Sequence, residues 1–464
     1  MAHLHILGIC GTFMGGIAAL AQAMGHKVTG SDRNIYPPMS TMLANLGIEV
    51  FADDDLAQLE PALDLVIIGN ALSRGHPLVE AVLQRRLAYT SGPQWLGEQV
   101  LRKTHVLAVA GTHGKTTTAA MLVWILEQAG LQPSFLVGGV VQPFGITARL
   151  SNPDLFVIEA DEYDTAFFDK RSKFLHYFAN TLVINNLEFD HADIFSDLAA
   201  IQQQFANVLR TVPSDGHVIY PLQPALQEVL AKGCWSNTIT TATAGCQAVN
   251  SEWRHHLLSA DGSTFAIYHQ QQEVARVEWN LLGSHNADNG LMALIAATQV
   301  GVPIAEAAAA LNSFNAPARR LECKGEVGHV RVYDDFAHHP TAIATTIQAL
   351  RANIGAEQQL LAIFEPRSNT MKAGVHQATL AAAFAGADAV YVLVPEQVSW
   401  SIAEAFAKAS MPVHLAGSVS ELVALIAEHY RLRQQQAQLA HEHWLVMSNG
   451  AFGGIHQQLL NAAQ

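Results

Sequence analysis

A short glycine-containing segment between an apolar strand and an apolar helix constrains this chain more than any other feature. Residues 106–110 are aliphatic, residues 111–118 have the sequence G-T-H-G-K-T-T-T, and residues 119–126 are again apolar. Such a strand–loop–helix unit directs backbone N–H groups to the start of the helix, where a phosphate group is favoured. In this arrangement Lys115 would reach the β and γ phosphates of a nucleotide, and the Thr116 hydroxyl would hold Mg²⁺. The segment therefore predicts a nucleoside-triphosphate site.

Length, charge and cysteine content limit the class of protein. A chain of 464 residues exceeds what one hydrophobic core organises, so we expect three domains. The net charge of −14 argues against nucleic acid or an anionic membrane as a partner, and no run of about 18 apolar residues predicts a membrane span. The four cysteines form no C-x-x-C pair, which fits a reducing cytoplasm and a chain without a zinc site.

A second glycine turn lies near the start of the chain. A buried strand at residues 3–9 leads into G-I-C-G-T-F-M-G-G at residues 8–16, and a helix and a strand follow. Asp32 comes about 20 residues after the first glycine, the distance typical of a ribose contact in a Rossmann domain. The glycine spacing is irregular, so a nicotinamide dinucleotide is only one of the ligands that this turn could bind.

Carboxylates follow two strands after the first motif. The strand at residues 155–158 is followed by E-A-D-E-Y-D, and the strand at residues 181–185 is followed by N-L-E-F-D-H-A-D. Because open α/β sheets bind ligands at the carboxyl ends of their strands, both groups should lie near the triphosphate. Oxygen ligands suit Mg²⁺. We therefore predict that this edge binds Mg²⁺ and that His191, which lies between Asp190 and Asp193, has a functional role.

The next segments predict a sheet edge and a second nucleotide contact. Alternating apolar residues predict antiparallel strands at 253–258, 264–268 and 274–279. A helix then begins near residue 283, where Asn286 and Asn289 are three residues apart and so lie on one face. Their amides could bind a purine edge, although asparagines also cap helices.

The last third of the chain predicts another α/β unit. A strand at residues 330–333 is followed by D-D-F-A-H-H-P, and a strand at residues 360–364 is followed by E-P-R-S-N-T-M-K. Strands at residues 389–394 and 444–447 complete the sheet. Polar residues again follow the strand ends, which is where a ligand would bind.

Together these motifs resemble one family, the ATP-dependent Mur ligases of bacterial cell-wall synthesis. The resemblance extends over the whole chain in the family's order, and it is carried by residues 111–118, 159–162, 186–193, 283–289, 319–322 and 334–340. It implies three α/β domains: a Rossmann-like UDP-binding domain at 1–103, a P-loop ATPase-like domain at 104–317 and a Rossmann-like domain at 318–464. The first glycine turn would then hold a UDP-sugar rather than a nicotinamide.

Residues 8–14, 34–41 and 364–372 resemble one branch of the family. That branch attaches the whole tripeptide L-alanyl-γ-D-glutamyl-meso-diaminopimelate to UDP-N-acetylmuramate, through an acyl phosphate, in peptidoglycan recycling. The alternative on the same fold is the branch that adds L-alanine in de novo synthesis. A nucleotide switch without ligation remains a third interpretation.

The resemblance also implies roles for individual residues. The implied catalytic residues are Lys115, His191, Arg320 and His338. Two Mg²⁺ ions would be held by Thr116, Glu159 and His191. ATP would contact Gly111, Thr112, His113, Gly114, Lys115, Thr116, Thr117, His285, Asn286, Asn289, Arg320 and Asp335. The two substrates would contact Gly11, Thr12, Phe13, Met14, Ser31, Asp32, Asn70, Arg367 and Lys372.

We accordingly expect a cytoplasmic monomer or weak homodimer with small-molecule substrates.

Overall fold

Three open sheets of mainly parallel strands organise the computed structural model. It describes residues 1–36, 39–60, 62–142, 144–242, 251–394, 398, 400–435 and 441–464. Pro37 and Pro38 of the 34–41 motif lie outside the described residues. The sheets have five, ten and six strands, and a separate ribbon has two. The predicted class, three α/β units, is confirmed.

The first sheet is entirely parallel. Its elements are β1 (His3–Leu7), α1 (Thr12–Ala23), β2 (Lys27–Asp32), α2 (Met39–Asn45), β3 (Glu49–Ala52), β4 (Leu65–Ile68), α3 (Pro77–Gln84), β5 (Tyr89–Ser91) and α4 (Gly92–Gln99), with 3-10 turns at Leu56–Leu59 and Leu101–Lys103. The strand order is β3-β2-β1-β4-β5. Because the order reverses at β1, the crevice after this strand is where such a sheet binds a ligand. The first glycine turn occupies that position.

The middle sheet has the phosphate-binding segment near its centre. Its elements are β6 (His105–Ala110), α5 (Lys115–Gln128), β7 (Pro133–Val141), β8 (Ile146–Arg149), β9 (Asn152–Glu159), β10 (Asp164–Ala166), β11 (Asp169–Ser172), a 3-10 turn (Lys173–His176), β12 (Thr181–Ile184), α6 (Leu198–Leu209), β13 (His217–Pro221), α7 (Pro224–Ala231), β14 (Asn237–Thr241), β15 (Trp253–Leu257), β16 (Thr264–His269), β17 (Gln272–Glu278), α8 (Ser284–Thr298) and α9 (Ile304–Asn312).

The strand order in this sheet is β17-β16-β15-β14-β13-β12-β6-β9-β7-β8, and β10 pairs with β11 in the separate ribbon. β9 and β12 both pair with β6 in parallel, so the carboxyl ends of all three strands meet. β15, β16 and β17 are antiparallel and lie at the edge, as predicted.

The third sheet is formed by the last third of the chain. Its elements are β18 (Glu322–Val327), β19 (Val330–Asp335), α10 (Pro340–Ile354), β20 (Gln359–Phe364), α11 (Asn369–Lys372), α12 (Gln377–Ala383), β21 (Ala389–Leu393), α13 (Ile402–Ala405), β22 (Val413–Ala416), α14 (Val419–Gln435), β23 (Glu442–Met447), a 3-10 turn (Phe452–Gly454) and α15 (Ile455–Ala462). The order is β18-β19-β23-β20-β21-β22, and only β18 is antiparallel to its neighbour.

The first and middle domains share one apolar core. Helix α1 packs against β7 and β8, and residues of both domains belong to the same buried cluster. Gly16 permits this approach, because a Cβ atom there would lie 2.4 Å from Leu136 Cδ1. The buried clusters of the third domain are separate.

Within the described part of the chain, no helix has both the length and the hydropathy needed to cross a membrane.

Candidate active site

A cleft of about 550 Å³ lies between the middle and third domains, at the carboxyl ends of their strands. It brings together predicted site residues from distant parts of the chain. Those that line it are Thr112, His113, Gly114, Lys115, Thr116, Thr117, Glu159, His191, His285, Asn286, Asn289, Arg320, Asp335, His338 and Arg367. Gly111 and Lys372 are not among the lining residues. Lys372 ends the short helix α11.

The loop before α5 depends on its glycines. Gly111 and Gly114 have φ angles of +126° and +79°, which side chains other than glycine rarely adopt. A Cβ atom on Gly114 would also lie 2.4 Å from Asn289 Oδ1. The helix begins at Lys115, so its unpaired N–H groups and positive dipole end are directed to the loop. This is the geometry of a phosphate site.

Lys115 is held by a buried carboxylate for which we had predicted no role. Its Nζ donates to Glu162 Oε2 at 3.0 Å and to the Gly111 carbonyl at 2.6 Å. The other oxygen of Glu162 lies 3.1 Å from His191 Nε2, and the Glu162 side chain is only 1% exposed. Burial alone would lower the pKa of Lys115, but the Glu162 carboxylate raises it. Glu162 therefore joins two of the predicted catalytic residues and raises the pKa of both.

Thr116 and Glu159 form the other half of the phosphate site. Thr116 Oγ1 donates to Glu159 Oε1 at 3.0 Å, and the second oxygen of Glu159 accepts the Gly138 N–H at 2.6 Å. Desolvation raises the pKa of Glu159, although Lys115 opposes this. A hydroxyl beside a carboxylate is a pair of oxygen ligands that Mg²⁺ accepts.

His191 lies on a strained stretch of backbone. Its φ angle is +57°, which is uncommon for a residue other than glycine, and its N–H donates to Asp190 Oδ1 at 2.7 Å. The ring lies 4.3 Å from the Tyr163 ring, measured between centroids. Burial would lower the pKa of His191, but the hydrogen bond to Glu162 raises it. Strain of this kind concentrates at functional sites.

The third domain contributes a rigid arginine turn. Arg319 and Leu321 have φ angles of +63° and +51°, and Arg320 lies between them. The Arg319 guanidinium donates to the carbonyls of Ser448 and Gly450 at 2.6 and 2.8 Å. These contacts fix the backbone from which Arg320 enters the cleft.

Asp335 stabilises the turn that contains Arg320 through backbone hydrogen bonds. Its carboxylate accepts the N–H groups of Leu321 and Ala337 at 2.7 and 2.8 Å. Burial raises the pKa of Asp335, and Arg320 opposes this. Asp335 therefore has a structural role as well as a position in the cleft.

His338 has one nitrogen committed and one available. Its Nδ1 lies 3.1 Å from the Phe336 carbonyl, which can only accept a hydrogen bond. The hydrogen-bond pattern therefore assigns the proton to Nδ1 and leaves the lone pair on Nε2. Burial lowers the pKa of His338, which keeps the ring neutral at physiological pH.

Polar contacts join the two domains across the cleft. Thr370 Oγ1 donates to Asp190 Oδ1 at 3.1 Å, and Asn369 Nδ2 donates to Asp193 Oδ2 at 3.0 Å. These threonine and asparagine residues follow β20, whereas both aspartates follow β12. Hydrogen bonds therefore contribute to the closed cleft, together with the packing of Leu282 against the core of the third domain.

A second cavity, of about 360 Å³, lies at the glycine turn of the first domain. Of the residues predicted to bind the UDP-sugar there, Gly11, Ser31 and Asp32 line it. Asp32 also stabilises the turn, because its carboxylate accepts the N–H groups of Cys10 and Asn34 at 2.9 and 2.8 Å.

Four other predicted substrate residues do not line this cavity: Thr12, Phe13, Met14 and Asn70. Met14 is 6% exposed, in the apolar core. The Phe13 ring instead lies 5.6 Å from Lys173 Nζ, measured to the centroid, and Lys173 pairs with Asp161 at 3.2 Å. Phe13 therefore lies between the first domain and the interdomain cleft.

Comparison with known proteins agrees with this architecture. The chain matches the Mur ligase family catalytic domain over residues 3–104, the Mur ligase middle domain over 109–297 and the Mur ligase glutamate ligase domain over 319–436.

Relatives that align with nearly the whole chain are also ligases. A UDP-N-acetylmuramate–L-alanyl-γ-D-glutamyl-meso-2,6-diaminoheptandioate ligase of Haemophilus influenzae is 53% identical over 462 residues, 99% of both chains. A UDP-N-acetylmuramate–L-alanine ligase of Renibacterium salmoninarum is 33% identical, over 92% of this chain and 91% of that one. The crystal structure of a murein peptide ligase from Psychrobacter arcticus has a TM-score of 0.75 at 44% identity, covering 100% of this chain and 99% of the other. The chain matches three Mur ligase domains in succession, and it is 53% identical to a relative over 99% of its length. It therefore belongs to the Mur ligase family.

Proposed function

We propose that the chain is an ATP-dependent ligase that joins UDP-N-acetylmuramate to the tripeptide L-alanyl-γ-D-glutamyl-meso-diaminopimelate, releasing ADP and phosphate. The observation that carries the proposal is the interdomain cleft, in which Lys115 of the phosphate loop lies opposite Arg320 and His338 of the third domain. The 53% identity to a tripeptide ligase, against 33% to an L-alanine ligase, supports the tripeptide as the second substrate.

Each domain would hold one substrate. The cavity at Gly11, Ser31 and Asp32 suits the UDP group of the acceptor, and the loop before α5 suits ATP. Arg367 lines the cleft from the third domain and is half-exposed, so its guanidinium could pair with a carboxylate of the peptide. We propose domain limits of 1–103, 104–317 and 318–464; the three sheets, which lie within residues 3–91, 105–278 and 322–447, support them.

The first chemical step would activate the acceptor. An oxygen of the lactyl carboxylate attacks the γ phosphorus, the bond from that phosphorus to the β–γ bridging oxygen breaks, and ADP leaves. Lys115, Arg320 and the N-terminus of α5 would stabilise the negative charge that accumulates on the phosphoryl group. Mg²⁺ held by Thr116, Glu159 and His191 would supply further positive charge in the same place.

The second step would form the amide. The alanyl amine of the peptide attacks the acyl carbon, the C–N bond forms, the C–O bond to phosphate breaks, and phosphate leaves. The attacking amine must lose a proton. In the assigned tautomer the proton of His338 is on Nδ1, so the lone pair on Nε2 is available to accept another. His338 would therefore accept this proton.

The substrate assignment is tested by phosphate release with ATP, Mg²⁺ and UDP-N-acetylmuramate, adding either the tripeptide or L-alanine. We expect kcat/KM to favour the tripeptide by on the order of 100-fold, because L-alanine lacks the carboxylates that the third domain would bind. Omitting UDP-N-acetylmuramate is the control for simple ATP hydrolysis. Phosphate release with L-alanine but not with the tripeptide would assign the chain to the L-alanine branch of the family. Phosphate release in the absence of UDP-N-acetylmuramate would refute ligation.

His191→Ala is expected to raise the Mg²⁺ concentration needed for half-maximal rate by about tenfold, since one ligand of the ion would be lost. The measurement is a Mg²⁺ titration at saturating ATP. His217→Ala, a histidine in β13 outside the cleft, is the matched control. An unchanged titration for His191→Ala would remove this residue from the metal site.

A further inference from the structure

A second group of potential metal ligands lies at the cleft, and no chemical step of the proposed reaction uses it, although one member, His113, lines the cleft and is a predicted ATP contact. The group consists of His113 in the phosphate loop, Glu188 after β12 and His339 at the N-cap of α10. His113 Nε2 is 3.2 Å from Glu188 Oε2, and His339 Nδ1 is 3.7 Å from the same oxygen. One ligand atom of each residue lies within 4.8 Å of the other two, and no other such trio occurs among the residues that the structure describes.

These separations suit a small divalent ion. In a tetrahedral site with ligands about 2.0 Å from the metal, two ligand atoms are about 3.3 Å apart. The observed distances of 3.2 and 3.7 Å are close to this value. Two imidazoles and one carboxylate are ligands typical of Zn²⁺ and its neighbours in the first transition row, whereas a Mg²⁺ site is built mainly from oxygen ligands.

The ring of His339 makes a single long hydrogen bond. The residue is 6% exposed, and its Nε2 is buried without a hydrogen-bond partner. Its Nδ1 accepts only the Thr341 N–H, at the long distance of 3.3 Å. The ring of His376 lies 4.4 Å away, and its Nε2 also lacks a partner. Because Nδ1 of His339 accepts a hydrogen bond, its Nε2 carries the proton, so the atom that can exchange this long hydrogen bond for a metal ion is Nδ1.

We propose that His113, Glu188 and His339 bind a divalent transition-metal ion of the Zn²⁺ class, at a site separate from the Mg²⁺ ligands of the phosphate loop. His113 and Glu188 belong to the middle domain and His339 to the third, so the ion joins the two domains. It thereby adds metal–ligand bonds to the hydrogen bond that Thr341 Oγ1 donates to Glu188 Oε2 at 2.8 Å between the same domains, and it holds the cleft closed. Cysteine spacing gives no indication of this site, because its ligands are histidines and a glutamate from distant segments.

The test is a titration of the full-length, nucleotide-free protein with Co²⁺, a spectroscopic substitute for Zn²⁺, in the presence of excess Mg²⁺. We expect one equivalent of Co²⁺ to give the visible absorption of a low-coordinate cobalt site, and Zn²⁺ to displace it. We also expect Zn²⁺ to raise the Tm by a few degrees, because the ion binds the native state. Neither measurement depends on ligase activity, so failure of the proposed function would leave the result intact.

Three variants locate the ion. His339→Asn keeps a side-chain acceptor at the N-cap but removes the imidazole, and should weaken Co²⁺ binding by about 100-fold or more. His256→Asn changes an exposed histidine and should bind as the wild type does. His191→Gln should also bind normally, because His191 belongs to the other metal site.

The proposal is overturned if the wild type binds no Co²⁺ at micromolar concentration. It is equally overturned if His191→Gln abolishes binding while His339→Asn retains it, since the ion would then occupy the phosphate site. The Tm of each variant in the absence of metal verifies folding. If His339→Asn fails to fold, Glu188→Gln makes the same test, because it removes the central carboxylate and preserves the side-chain volume.

Discussion

Lys115→Met should reduce ATP-dependent phosphate release by at least about 1000-fold, because the methionine retains the length of the side chain but cannot neutralise charge on the transferred phosphoryl group. Binding of UDP-N-acetylmuramate should be unchanged, since its proposed cavity lies in the first domain. Stopped-flow phosphate detection measures the first quantity and titration calorimetry the second. Phosphate release at the wild-type rate would contradict the proposed role of the loop.

A folding defect must be separated from this loss. Lys115→Met leaves Glu162 buried with only His191 as a side-chain partner of the pair. The double variant Lys115→Met, Glu162→Gln removes that unpaired charge, so it should recover Tm without recovering activity. Lys232→Met, which changes an exposed lysine of the middle domain, should retain full activity.

The second large effect is expected from Glu162→Ala. This carboxylate is 1% exposed and pairs with Lys115 at 3.0 Å and with His191 at 3.1 Å. Its removal leaves the buried Lys115 ammonium without this carboxylate, and breaking a buried ion pair costs about 3–5 kcal/mol. We expect the Tm to fall by several degrees and phosphate release to fall by about 100-fold, because neither partner is then held in place. Thermal unfolding and the phosphate assay measure the two changes.

Two controls separate charge from volume in this prediction. Glu162→Gln preserves the size of the side chain and can still accept one hydrogen bond, so it should lose less stability than Glu162→Ala. Glu428→Ala breaks a fully exposed pair with Arg431 on α14 and should leave Tm unchanged. A Glu162→Ala protein with wild-type Tm and activity would show that the bridge has no role.

Much of the middle domain could be predicted because its signals are local. The strand, loop and helix around Lys115 follow from the aliphatic run, the two glycines and the threonines, and the structure has β6, the loop and α5 in that order. The meeting of Glu159 and His191 at the loop required a further rule, that parallel strands present their carboxyl ends at one edge. The pairing of β9 and β12 with β6 confirms it.

The role of Glu162 could not be predicted from the same stretch. Four carboxylates occur at residues 159–164, and nothing in their spacing tells which one faces the lysine. That choice depends on how the chain leaves β9: Glu159 turns to Thr116, whereas Glu162 reaches Lys115 and His191. Both contacts depend on tertiary structure.

Contacts between domains also cannot be predicted from local sequence patterns. Thr370 and Asp190 are 180 residues apart, and their hydrogen bond exists only because the third domain closes over the middle one.

The strand β7 was also not predicted, but for a different reason. Its sequence contains Gly138 and Gly139, which lack side chains to pack and weaken the pattern of a strand.

The apolar core shared by the first two domains determines which part of the enzyme can move. Because α1 is packed against β7 and β8 within one buried cluster, these domains behave as a single rigid block. The third domain meets that block largely through polar contacts, of the kind that allow domain motion. We therefore expect opening to move the third domain relative to the other two. With the proposed sites, the sugar nucleotide and ATP would remain on this block, and the motion of the third domain would govern when peptide enters and product leaves.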